Sequence, residues 1–309
     1  MNSFEDNTQD QFDYITTTDI DTEFTIEIAD GASFSKLFDC LKNGNNAVIR
    51  LTDTSMSYIE LMDTSQGQKN KTKFNIDILC EFNVNKFKTY KFTSKSKEYN
   101  LYIDVKTFVD KVSKIKDTSI KIIKRKGDET ISIYTSASNA DVSYLKPLVM
   151  QSCETFGRDT KTRNSPNCLI NPKKITADSL KISPSKFKKV TVTGYNNRMI
   201  VDAQSLYQSD GHTFHYGEPI NNIVFNINFD ALPDISIPAK SNNKVQEPIM
   251  RLEIPTNLFK NIAKLAKLSD CNMKVFFERS DSGDCMKIIT EVKNYATVHT
   301  YVMPHFDIN

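Results

Sequence analysis

From residue 23 onward, apolar and polar residues alternate through short stretches. Four times that alternation gives way to apolar residues spaced three and four apart, the change of period that marks a helix between strands. The first unit reads EFTIEIA as a strand and GASFSKLFDCLKNG as a helix. That helix has Phe34, Leu37, Phe38 and Leu41 on one stripe and Gly44 at its end, and AVIRL and SYIELM follow as two strands. The second unit opens on YNLYI. Asp104 then caps a helix with the stripe Val105, Phe108, Val109, Val112 and Ile115, and SIKIIKR and TISIYT are joined by the turn KGDE. The third runs from NCLI through the cap and first-turn pair Asn171–Pro172 and the short helix KKITADSLKI to FKKVTVT and RMIVDAQ around GYNN. The fourth is IMRLEI, a helix over NLFKNIAKLAKL, then NMKVFFE and CMKIITEV around RSDSGD. Helices are thus predicted to begin near residues 31, 104, 172 and 256. KFNIDILCEF, FKTYKFT and NIVFNINF supply further strands. Two strand–helix–strand–strand (βαββ) units per domain, with all four helices on one side of curved sheets, give a layered two-domain α+β architecture.

Composition narrows the class. A chain of 309 residues has room for two domains, and 39% hydrophobic with 25% charged residues fits a globular fold. No apolar run approaches the roughly 20 residues of a membrane helix, and the N-terminus lacks a signal pattern, so an intracellular protein without membrane contact is expected. Residues 1–22 carry Glu5, Asp6, Asp10, Asp13, Asp19 and Asp21 and too few apolar side chains to fold, so a disordered acidic tail is expected. Cys40, Cys80, Cys153, Cys168, Cys271 and Cys285 are scattered without the close pairs of a zinc site, and buried or idle thiols are expected.

The net charge of +2 is too small for a protein that grips nucleic acid by bulk charge. Any such contact needs positive charge concentrated on one surface. The predicted helices offer it away from their apolar stripes: Lys36 and Lys42 on the first, Lys106, Lys111 and Lys114 on the second, Lys173, Lys174 and Lys181 on the third, and Lys260, Lys264 and Lys267 on the fourth. Exposed helix faces are commonly lysine-rich, and Asp39, Asp110 and Asp178 temper these, but the fourth helix holds no acid between Thr256 and Ser269. Lysine makes loose phosphate contacts rather than bidentate base readout, and no aromatic residue stands among these lysines to stack on a base. The pattern points to a duplex held through its backbone. Nothing points to catalysis. His212 and His215 lack a further ligand at metal spacing, Asp281 and Asp284 read as a hairpin turn, and only 9 glycines leave no phosphate-cradling loop. No enzyme activity, cofactor or metal is expected.

Several segments, in order, resemble the sliding clamps of eukaryotes, archaea and large DNA viruses, the family of proliferating cell nuclear antigen. FSKLFDCLKN is similar to the first clamp helix, YIELMDTSQ to the strand and turn after it, and FKTYKF to the strand before the second helix. EPIMRLEIPTNLFKNIAKLAKL is similar to the last strand–helix pair and ATVHTYVMP to the closing strand. The likeness covers most of residues 23–305 and is weakest from about 145 to 250. It implies domains at 23–143 and 168–309, joined by a connector at 144–167. It also implies a homotrimeric ring with helices lining the hole and sheets outside, which encircles double-stranded DNA and acts as a processivity factor. DNA polymerase and other replication and repair enzymes would be its partners, and a clamp loader a further one. Helix lysines would touch phosphates. Partner peptides would dock between the domains on Met62, Gln66, Tyr301, Met303 and Pro304, with Phe156 of the connector as an apolar contact. Two alternatives keep the fold: a monomeric clamp-like DNA-binding factor, and a scaffold in a hetero-complex. The long tail, a loop at about 233–246 and the proline-bounded third helix depart from the family. Richness in Lys, Asn and Ile points to an AT-rich genome, such as a large DNA virus or a protist. A nuclear location or a cytoplasmic viral replication factory follows from that.

Overall fold

The computed structural model describes residues 21–41, 45–63, 74–113, 119–135, 142–148, 165–205, 211–217, 247–280 and 283–304. The expected tail up to residue 20, most of the connector, the strand NIVFNINF and the 233–246 loop lie outside these. The first half runs β1 (Thr22–Ile28), α1 (Gly31–Leu41), β2 (Asn46–Leu51), β3 (Met56–Asp63), β4 (Phe74–Phe82), β5 (Thr89–Phe92), β6 (Tyr99–Asp104), α2 (Val105–Val112), β7 (Ile120–Arg125), β8 (Ile131–Tyr134) and β9 (Val142–Leu145). The second runs β10 (Cys168–Ile170), α3 (Pro172–Leu180), β11 (Lys189–Tyr195), β12 (Arg198–Gln204), β13 (Gly211–Gly217), β14 (Met250–Pro255), α4 (Thr256–Ala266), β15 (Met273–Ser280), β16 (Gly283–Val292) and β17 (Ala296–Pro304). The repeated strand–helix–strand–strand unit therefore occurs four times. β1 begins one residue before the expected boundary, and β9 extends two residues into the expected connector.

Side-chain caps start three of the four helices where the sequence pattern changes, whereas α4 follows Pro255 with no side-chain cap. The Asp30 carboxylate accepts from the Ser33 amide at 2.9 Å ahead of α1. Asp104 accepts from the Thr107 amide at 2.7 Å, and Asn171 accepts from the Lys173 amide at 2.9 Å with Pro172 at the first helical position. The apolar stripes are fully inside: Phe34, Leu37, Phe38 and Leu41 of α1, Phe108 and Val112 of α2, and Leu258, Ile262 and Leu265 of α4 are each at most 5% exposed. Cys40, Cys80 and Cys168 are buried, whereas Cys271 is exposed.

The strands of one unit do not stay together. β1 pairs with β5 and with β7 of the next unit, and β2 pairs with β3 and β6, all antiparallel. The first half thus holds the orders β5-β1-β7-β8-β9 and β4-β3-β2-β6. The second half repeats them, without a counterpart of β5 among the described residues, as β10-β15-β16-β17 and β13-β12-β11-β14. The halves are fused where β17 pairs with β4, from Ala296↔Phe82 to Pro304↔Phe74, which makes one eight-stranded sheet from β10 to β6. Tyr295 reinforces that joint, its ring packing on Phe34, Phe82 and Phe87 at centroid distances of 6.5, 6.0 and 5.9 Å. In the second half, Gly194 of β11 approaches Phe277 of β15 so closely that a Cβ would lie 2.7 Å from its ring. The buried side chains of both halves form one continuous core.

Candidate nucleic-acid interface

The four helices lie side by side. α2 packs on α1, α1 on α4, and α4 on α3, so the layer crosses the junction of the halves in the order α2–α1–α4–α3. Because each helix turns its apolar stripe into the core, its remaining face looks away from the sheets. Lys36, Lys106, Lys173, Lys264 and Lys267 stand exposed there, with Lys111 and Lys260 half-buried. Lys42 and Lys114 lie outside the described residues.

Charge is distributed unevenly between this layer and the strands. Several strand and loop lysines meet carboxylates, among them Lys88–Glu27 at 2.6 Å, Lys189–Glu253 at 2.9 Å and Lys274–Glu291 at 2.7 Å. The lysines of α1, α2 and α4 form no ion pair with a described residue. Such exposed pairs contribute little to stability, but they cancel part of the strand charge, whereas the described lysines of α1, α2 and α4 have no such partner. The acids that temper this layer are Asp39, half-buried on α1, and Asp110, exposed on α2. α3 differs from the expectation for it. Lys174 donates to the His215 carbonyl and lies 5.4 Å from the Tyr216 ring centroid. Lys181 pairs with Asp178 at 3.1 Å and lies 5.6 Å from the Phe214 ring. Both are drawn to β13, which leaves Lys173 as the unengaged lysine of this helix. Burial, and then the Asp178 carboxylate, push the Tyr216 phenol well above its usual value.

The residues expected to hold a partner peptide are brought only partly together. Met62 on β3 and Val302 on β17 both stand opposite Ile76 of β4, so the two flanking strands reach the same end of the sheet. Tyr301 and Met303 are half-buried there, and Pro304 closes β17 opposite Phe74. The Tyr301 ring stacks on His299 at 6.5 Å with Lys287 Nζ 5.0 Å from its centroid. Gln66 and Phe156 lie outside the described residues. Among those residues no group of three or more His, Cys, Asp or Glu side chains gathers as a metal site.

The sequence pattern did not single out the ends of the molecule. β9 and β13 are edge strands with no further strand partner among the described residues. Tyr144 on β9 is 62% exposed, and Leu180 at the end of α3 is 74% exposed. Large apolar groups so open to water are out of keeping with the buried stripes elsewhere.

A helix layer over sheets built from paired βαββ units is the sliding-clamp fold. Comparison of the sequence with protein-family models and with curated proteins finds no match. Comparison of the structure finds proliferating cell nuclear antigen from Entamoeba histolytica, with a TM-score of 0.63 and 12% identity over 92% of this chain and 100% of the other. It also finds a chain of the PCNA2–PCNA3 complex from Sulfolobus tokodaii, with a TM-score of 0.61 and 13% identity over 91% and 99%. At that identity the likeness is one of fold.

Proposed function

We propose that this protein is a DNA sliding clamp, a non-enzymatic ring that encircles duplex DNA and tethers polymerase and other replication and repair proteins to it. The observation that carries the proposal is the lysine face running across α2, α1 and α4, whose lysines form no ion pair with a described residue. Such a face attracts phosphates without reading bases. Encirclement supplies retention by topology, so the small net charge of +2 is no obstacle.

The internal joint supports assembly into a ring. β17 and β4 are paired, and their counterparts in the repeat are β9 and β13. Those counterparts are sheet edges with no further strand partner among the described residues. A second copy that set its β13 beside β9 would rebuild the joint already present inside the molecule. The exposed Tyr144 and Leu180 would then be covered. Repetition of a head-to-tail contact closes a ring, with three copies as the form that the sequence resemblance implies. The likeness to a chain of the PCNA2–PCNA3 complex favours a second reading, a mixed ring with non-identical subunits. Mass in solution separates them: three times 35.2 kDa for the homotrimer, and a single chain for a subunit that awaits other partners.

The experiment for encirclement uses linear duplex with both ends either open or blocked by a bound protein. Rings threaded before blocking are expected to survive a high-salt wash on blocked duplex and to leave open duplex. Loss from both at the same salt would identify a monomeric factor held by charge alone.

A further inference from the structure

At the junction of the halves, Lys36, Lys86, Lys267 and Lys293 line a single cleft of about 300 Å³ together with Asp30 and Tyr295. The four come from separate elements. Lys36 is on α1 and Lys267 caps the end of α4, where a cation also suits the helix dipole. Lys86 ends a one-turn 3-10 helix (Val84–Lys86) after β4, and Lys293 is in the turn between β16 and β17. The last two are fixed to each other. The Asn83 amide donates to the Tyr295 carbonyl at 2.9 Å, and the Asn83 side chain donates to the Asn294 carbonyl at 3.2 Å. All four lysines are exposed and none forms an ion pair with a described residue.

The turn that presents Lys293 carries a second signal. Tyr295 N donates to Val292 O at 2.7 Å, with Lys293 at φ 45° and Asn294 at φ 55°. This is a two-residue hairpin with both central residues left-handed, a place where Asn and Gly are the ordinary occupants. Lysine there is held at a conformational cost that a structural turn does not require. Asp30 is the acid within the cleft. Hydrogen bonding from Ser33 holds its carboxyl below the usual range, helped by Lys293 and Lys36. Glu81 and Glu291 line a separate neighbouring cleft that Lys86 also borders.

We infer that this cleft is a seat for a backbone phosphate of duplex DNA, placed where the duplex leaves the helix layer. The inference rests on the clamp reading and adds Lys86 and Lys293 to its contacts. It sits beside the Ala296↔Phe82 end of the β17–β4 ladder, roughly 27 Å from the Pro304 end by strand rise. Phosphate contact and the expected peptide contacts are thereby kept at opposite ends of one sheet.

The test measures binding of the full chain to a duplex of about 30 base pairs across a salt series, with the slope of log K against log salt as the readout. Replacing Lys86→Gln and Lys293→Asn together is expected to shrink that slope by about one to two. Lys293→Asn alone should melt no lower than wild type, because Asn suits the left-handed turn. Asp30→Asn retains the helix cap and is expected to tighten binding several-fold. An unchanged slope in the double variant, beside a reduced slope in Lys106→Gln/Lys264→Gln, would overturn the cleft and leave the clamp reading standing. Absence of salt-dependent binding by wild type would overturn the cleft, and retention on end-blocked duplex then decides the clamp reading separately.

Discussion

Phe38 shows how single residues hold this molecule together. Its ring lies 4.6 Å from Phe34, 5.1 Å from Tyr58, 5.0 Å from Phe108 and 6.0 Å from Phe82, so one side chain joins α1, α2, β3 and β4. Phe38→Ala is expected to cost about 3–5 kcal/mol, read as a lowered urea midpoint. Phe38→Leu should lose much less, and equal losses would show that the site collapses around the cavity. His299 makes a different contribution at the joint of the halves. Its Nε2 lies 3.0 Å from Glu81 on β4. Burial depresses its pKa from 6.5, the Glu81 carboxylate opposes that, and Lys287 reinforces it. Since the unfolded chain then binds a proton more readily than the folded one, this residue's contribution to stability is full above about pH 6.5 and falls as pH drops. The melting temperature of wild type should fall further between about pH 7.5 and 5.5 than that of His299→Gln. The same fall in both would remove His299 from the account.

At the scale of elements, the helices act as cassettes with two faces. Their buried faces were legible in the sequence because an apolar period of 3.6 has one structural reading, and Asp104 and Asn171 marked two of the starts. What the pattern could not give was strand partnership. Alternation in EFTIEIA shows that β1 has an inside and an outside, but not that it leaves its own unit to pair with β7. The candidate interface divided in the same way. Lysines opposite a stripe were readable as exposed. The turning of Lys174 and Lys181 toward β13 depends on a later strand, and Lys86 and Lys293 lie on none of the four α-helices. The uncompensated face should be separable from the fold. Lys106→Glu with Lys264→Glu is expected to weaken duplex binding at low salt and to shrink the slope of log K against log salt by about two, while the melting temperature and assembled mass stay as in wild type. An unchanged slope in that variant would take the helix layer out of DNA contact.

For the whole molecule, the repeat is the governing fact. Two halves with matching strand orders meet once inside the chain, through β17 and β4, and the repeat counterparts of those strands, β9 and β13, are sheet edges among the described residues. In the proposed ring the sheets would form the outer wall and the helix layer with its lysines the inner surface. The sequence announced the fourfold unit, and it concealed the joint, because β4 and β17 are separated by most of the chain. The central claim is that copies of this chain close around an opening lined by α1–α4. Electron microscopy of the purified protein at a concentration where it assembles tests this most directly. The expected result is a closed ring of three copies with the helices facing a hole wide enough for duplex DNA. Isolated single chains, or a closed assembly whose helices face outward, would contradict it.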